Sequence, residues 1–421
     1  MTMTETIDID DLAHPRLNDA QRAALSWGET QRTEFTETAI LEPAAAAAGL
    51  KDFGADDFRL RLKVLREEWD GCADLTGLQR SVLKGYLVRY ASNRLLIHDL
   101  LRRHPEILAQ EIQAPVIVVG LPRSGTTHLV NLLAADPRFH SLPLWEAYEP
   151  VPKPGEEPLP DGTDPRYQRC VDAWSAMQQT VPLIAAMHPM NPDHIHEELE
   201  LMGPDFASYN FEWLAHSPRW RDSYYATDQG PHYEYMKNVL RILQWRRGGA
   251  ARRWVLKCPQ HLEQLPVLKR TFPDAIIVVT HRDPIAVVQS TVTMQAYTQR
   301  IGRKHVALDA LIDYWPARIA HLLQGCVRHR HLFDPARSID VLFHEFMADP
   351  MRKLESIYSR AGLPLDAAAR ATLQRYLDAH PRGKEGRVHY HLQRDFGVSP
   401  ARLRESFGFY LDRYPVRAEA G

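Results

Sequence analysis

Four consecutive apolar residues, Val116, Ile117, Val118 and Val119, run directly into Gly120-Leu121-Pro122-Arg123-Ser124-Gly125-Thr126-Thr127-His128-Leu129, after which the pattern turns helical. A run with no polar face forms a strand that must be covered on both sides. Such a strand feeding a loop and then a helix is the building unit of a parallel sheet flanked by helices. The event recurs along the chain. Residues 254–257 precede Pro259 and a helical stretch, and residues 275–280 precede Pro284 and another. Residues 339–343 precede a helical pattern around 351–361. The fold class predicted is therefore α/β, a parallel β-sheet flanked by helices. Ahead of it, residues up to about Asp19 read as frayed and polar. From there to Glu111, Leu75, Leu78, Val82, Leu83, Leu87 and Leu95 recur at three- and four-residue steps, the mark of amphipathic helices. Residues 1–113 are expected to be an N-terminal helical region.

Charge excludes some classes. The chain carries 51 basic and 53 acidic residues, a net charge of -2. That balance argues against a nucleic-acid binder, which shows a basic excess, yet leaves room for a local phosphate site. Cys72, Cys170, Cys258 and Cys326 form no CxxC pair, so neither a disulfide framework nor a zinc ribbon is expected. The first residues are acidic where a signal peptide is basic and then apolar, and no run approaches the length of a membrane span. The expectation is a cytoplasmic protein. Nothing in the pattern fixes an oligomeric state.

The 120–129 loop carries the chemistry. A loop that follows a strand and opens a helix presents backbone N–H groups at the positive end of the helix dipole. Gly125 permits close backbone approach, and Ser124, Thr126 and Thr127 add hydroxyl donors. Gly120 and Gly125 have the spacing of the NTPase P-loop, G-x-x-x-x-G-K-[ST], but Thr126 stands where that loop has its lysine. Arg123 supplies charge instead. The loop suits a phosphate without the lysine–magnesium machinery of a nucleoside triphosphatase.

With the residues 122–129 after a Val-rich strand, the loop resembles the 5′-phosphosulfate loop of sulfotransferases, which use 3′-phosphoadenosine-5′-phosphosulfate as donor. The resemblance spans residues 114–415 and implies the P-loop-like sulfotransferase fold there. It implies that Arg123, Ser124, Gly125, Thr126 and Thr127 wrap the 5′-phosphosulfate. Arg282 after the strand 276–280, with Ser290 eight residues on, resembles the family's 3′-phosphate site; a strand-end guanidinium grips a phosphate bidentately. Lys257, at the end of 254–257, matches the lysine beside the transferring sulfonate, with Cys258 where serine is common. The loop 381–397 is similar in position to the family's C-terminal donor-binding loop, which brings in Arg382, Lys384 and Arg387. The activity implied is sulfonate transfer to a hydroxyl or amine of a small-molecule, lipid or glycan acceptor, with no metal.

Transfer needs a base for the acceptor proton. His261, four residues past Lys257, is the first candidate, imidazole being suited to proton transfer near neutrality. Glu197 and Glu198 are its rivals. They follow His188, His194 and His196, which also invite a metal reading. Against metal, there is no H-E-x-x-H, and His194 and His196 would diverge on a helix. The many aromatics of 166–250 read mainly as packing, with some available to wall an acceptor pocket. The rival classes are a P-loop kinase or NTPase, which would need the missing lysine and a magnesium carboxylate, and a non-catalytic nucleotide binder.

Overall fold

The computed structural model describes residues 6–249, 252–381, 384 and 386–419. Seven strands are present among them: β1 (Thr6–Asp8), β2 (Val116–Gly120), β3 (Phe139–His140), β4 (Arg253–Lys257), β5 (Ile276–His281), β6 (Ser338–Leu342) and β7 (Arg387–His389). β3-β4-β2-β5-β6 form one sheet in that order, and every neighbouring pair is parallel. The alternation of side chains explains the unbroken apolar runs. Ile117, Val119, Leu256, Ile277 and Val279 enter one apolar core, while Val116, Val118, Val255, Ile276 and Val278 enter a second. The sheet separates the two, so both faces of its central strands are dry.

The strand order decides where the site lies. β2 sits between β4 and β5, so the loop leaving β2 emerges between their carboxyl ends. In open α/β sheets that crevice is the ligand site.

The N-terminal helices are α1 (Asp19–Glu29), α2 (Glu37–Ala48), α3 (Phe58–Asp70) and α4 (Gly77–Arg103). Asn18 and Gln21 close a capping box at α1, and Thr36 and Thr76 cap α2 and α4 through their hydroxyls. Phe58, Leu62, Leu65, Leu83, Leu87 and Leu95 from these helices lie in the same apolar core as Ile117 and Val279.

Two local expectations need correction. The stretch before Asp19 is not simply frayed: β1 pairs in parallel with β7, and Asp8 binds Arg394. A three-residue strand has no period of its own, and its partner lies near the other end of the sequence. Nor are His194 and His196 on a helix. Ile195 between them forms an isolated bridge with Pro143, so the chain there is not helical and the divergence argument fails.

Candidate active site

The loop after β2 turns sharply into helix α5 (Thr126–Ala134). Gly125 caps α5 in the left-handed region at φ 84°, and Arg123 also takes a positive φ of 66°. A Cβ on Gly125 would come within 2.9 Å of the Phe343 ring. The backbone must therefore be bare there. The N–H groups of Thr126 and Thr127 belong to the first turn of α5, whose donors have no acceptor inside the helix. Ser124 is buried, and its hydroxyl donates to Leu121 O (2.6 Å) and lies 2.8 Å from Thr280 Oγ1. Of the expected phosphate ligands, this hydroxyl is turned inward to hold the loop together.

On the β5 side, Arg123 Nε donates to Ser290 Oγ at 3.0 Å, and a second Arg123 nitrogen donates to Met187 O. Arg282 donates to Arg123 O and lies 4.2 Å from the centre of the Phe343 ring. Asp283 caps the helix Pro284–Gly302, which carries the buried Ser290. Arg123 is thus clustered with Arg282 and Ser290, which lie 159 and 167 residues away in sequence.

On the β4 side stands the second cluster. Lys257 Nζ donates to Thr127 Oγ1 at 3.2 Å and is paired with Glu197. The Lys257 backbone N–H donates to Glu198 Oε2 at 3.1 Å. Burial pushes the Glu198 carboxyl up to about 8. His261 lies in the turn Pro259–Glu263, wholly enclosed. Its Nδ1 is 2.8 Å from the Tyr233 hydroxyl, and its Nε2 is 3.9 Å from Glu198 Oε2 with no hydrogen-bond partner among the described residues. Burial pushes its imidazole down to about 3, so it is neutral. His188 is likewise pushed down to about 3 by burial and by the Lys257 and Arg123 charges. Its ring centre is 6.1 Å from that of His196. As to metals, Glu198, Cys258 and His261 bring one donor atom each within 4.8 Å of one another.

The arm carrying the two glutamates is held by a residue that the sequence did not single out. Asn131, on α5, accepts from the Ile195 N–H (3.1 Å) and donates to Thr127 O (2.9 Å). Its amide ties the arm to the cradle's own backbone. Thr280 and Tyr233 were also missed. An isolated Asn, Thr or Tyr has no spacing signature, and only proximity marks them. Lys384 lies apart from both clusters in the bonding pattern: it is exposed, in a turn leading to β7, with no side-chain hydrogen bond to a described residue. Arg387 is exposed on β7. Arg382 falls outside the described residues.

The sequence pattern of the sulfotransferase family matches residues 115–367, more than half of the chain. The omega-hydroxy-beta-dihydromenaquinone-9 sulfotransferase Stf3 of Mycobacterium bovis is 25% identical over 304 residues, covering 71% of this chain and 74% of its own. The crystal structure of sulfotransferase STF1 from Mycobacterium tuberculosis H37Rv superposes with a TM-score of 0.76 at 28% identity, over 89% of this chain and 99% of that one. Sulfotransferase STF9 from Mycobacterium avium gives 0.81 at 25% identity, over 92% and 99%. With the cradle between β2 and α5, the matched pattern and two solved structures over nearly their whole length, the chain belongs to the sulfotransferase family.

Proposed function

We propose that this protein transfers the sulfonate of 3′-phosphoadenosine-5′-phosphosulfate to an acceptor hydroxyl, with Glu197 as the base. The observation that carries the reading is the contact of Lys257 Nζ with both Thr127 of the cradle and Glu197. It brings a cation, a phosphate loop and a carboxylate to one point.

In this reading the N–H groups of Thr126 and Thr127, with Arg123, hold the 5′-phosphosulfate, and Arg282 with Ser290 holds the 3′-phosphate. Glu197 takes the acceptor proton as the acceptor oxygen bonds to sulfur. The bond from sulfur to the 5′-phosphate oxygen breaks, and that oxygen leaves with the electron pair. Lys257 and Arg123 balance its charge, the share of catalysis that preorganised cations supply. Glu197 is preferred to His261 because a base must reach the acceptor proton. Glu197 pairs with Lys257 on the cradle side, whereas His261 lies behind Glu198 with its Nδ1 engaged by Tyr233. His261 and Glu198 then act by fixing the end of β4.

The acceptor is proposed by analogy with the Mycobacterium bovis relative: a terminal hydroxyl on a long apolar molecule, as in an omega-hydroxy menaquinone derivative. No described helix is long and apolar enough to cross a membrane, so such an acceptor would be met at a surface. The P-loop kinase alternative is not favoured, since Thr126 stands in place of its phosphate-binding lysine.

The test is incubation of the protein with the donor and hydroxylated isoprenoid lipids in chelator-treated buffer, followed by mass spectrometry. Products heavier by one SO₃, with stabilisation by adenosine 3′,5′-bisphosphate, are expected. Stabilisation only by ATP with magnesium, and no sulfonated product, would restore the kinase reading.

A further inference from the structure

Arg282 is not empty-handed. Its Nε donates to Glu419 Oε1 at 2.8 Å and its Nη2 to Glu419 Oε2 at 2.7 Å, the two-pronged grip that a guanidinium gives a carboxylate or a phosphate alike. The segment bearing Glu419 is fastened along the end of β5. Tyr414 stacks on His281 with ring centres 3.9 Å apart, and the Tyr410 hydroxyl lies 2.9 Å from His281 Nδ1. The Glu419 N–H donates to Asp283 Oδ2 at 2.8 Å, and Arg404 donates to the same oxygen at 2.9 Å. Three successive residues, His281, Arg282 and Asp283, are thereby engaged by residues 404–419. The Phe343 ring under Arg282 also closes on Gly125, so this carboxylate stands at the mouth of the cradle.

We propose that residues 415–419 form a strap whose Glu419 carboxylate occupies the anion seat of Arg282, and that a nucleotide bearing a 3′-phosphate must displace it to bind. The inference rests on the proposed role of Arg282 toward the 3′-phosphate. A carboxylate and a phosphate cannot share one fork of N–H donors, and placing both there sets two anions together. Part of the seat's affinity for phosphate is thus offset by the anion that must leave it. The pair is partly exposed, with 17% and 25% of the Arg282 and Glu419 side chains accessible. Among the described residues Glu419 is held by its ion pair with Arg282 and its backbone bond to Asp283, so exchange is within reach of a single ligand contact. The strap discriminates: a ligand without the 3′-phosphate leaves Glu419 in place.

The experiment is calorimetric titration of the full chain with adenosine 3′,5′-bisphosphate and, separately, AMP, in wild type, Glu419→Gln and Arg282→Ala. Glu419→Gln is expected to tighten bisphosphate binding by roughly three- to tenfold, the scale of one ion pair, and to leave AMP binding unchanged. The tryptic cleavage rate after Arg417 should rise on adding bisphosphate to wild type, and an unchanged rate would count against displacement of the strap. Unchanged or weakened bisphosphate binding in Glu419→Gln, where Arg282→Ala does lose it, overturns the strap and leaves the donor reading intact. Wild type that binds bisphosphate no better than AMP, with Arg282→Ala indifferent, overturns both.

Discussion

Glu198 and His261 carry opposite protonation biases 3.9 Å apart, and the consequence is a pH signature. Burial raises Glu198 from 4.5 to about 8, so the folded chain keeps a proton that the unfolded chain has released. Its contribution to stability is complete below about pH 4.5 and is lost as pH rises through 8. His261 and His188 run the other way. Lowered from 6.5 to about 3, they favour the folded chain above pH 6.5, and that contribution is lost as pH falls toward 3. In the folded chain, Glu198 alone of these three groups titrates near pH 8, since both imidazoles are already neutral. Urea denaturation at pH 6.5 and 8.5 should show wild type losing stability relative to Glu198→Gln at the higher pH, the histidine contributions being common to both chains. A second expectation separates the bases. Glu197→Gln should slow single-turnover transfer by about 10²-fold or more while still binding bisphosphate, the usual share of general-base catalysis. His261→Ala should stay within about tenfold of wild type in folded protein. Near-wild-type transfer by Glu197→Gln alongside a dead His261→Ala would reverse the assignment. A third concerns the cradle: at φ 84°, against Phe343, Gly125→Val should lose at least about tenfold in bisphosphate affinity with an unchanged circular-dichroism spectrum.

At the scale of elements, α5 does more than follow the loop 120–125. Through Asn131 it carries the arm of residues 195–198, since the same amide holds Ile195 and Thr127. Asn131→Leu leaves the Ile195 N–H without its acceptor in a buried position. The cost expected is about 1–3 kcal/mol, the desolvation penalty of an unpaired buried group. Bisphosphate affinity should hold while the transfer rate falls, because the arm positions Glu197 and not the nucleotide. A rate loss that merely parallels lost affinity would show that the arm serves the cradle alone. The existence of α5 and of the flanking strands was legible from 116–129, because a β-branched run and a glycine loop are local signals. The arm was not. It has neither helical nor strand period, and its shape comes from Asn131, from the Pro143 bridge and from the ion pair with Lys257.

Across the whole molecule, Asp205 joins the N-terminal helices to the rest. Arg61 of α3 and Arg94 of α4 both donate to its Oδ1, at 2.7 and 2.8 Å, and His232 Nδ1 is 2.5 Å from Oδ2. Arg94 and Asp205 are both buried. Removing the acid strands a buried guanidinium, so Asp205→Ala should cost about 3–5 kcal/mol. Since the apolar core runs from the N-terminal helices into the sheet, calorimetry should record one lowered transition. Two transitions, of which only one moves, would show that residues 1–113 unfold as a separate unit.

What the sequence alone determined is what local chemistry can write. Apolar runs set the strands of the sheet, Gly120 and Gly125 with their hydroxyl neighbours set the cradle, and Thr126 in the lysine position turned the reading away from triphosphate chemistry. Lys257, Arg282 and Ser290 were singled out only through the resemblance of their motifs to those of sulfotransferases. The tertiary structure alone decided the rest, because it depends on contacts between residues far apart in the chain. It turned the Ser124 hydroxyl inward onto Leu121 and Thr280. It paired β1 with β7 and set His261 behind Glu198, with Glu197 on Lys257. It also laid Glu419 across Arg282. An ion pair between residues so distant leaves no period and no spacing. It exists only once the sheet order has brought the carboxyl ends of β4, β2 and β5 side by side.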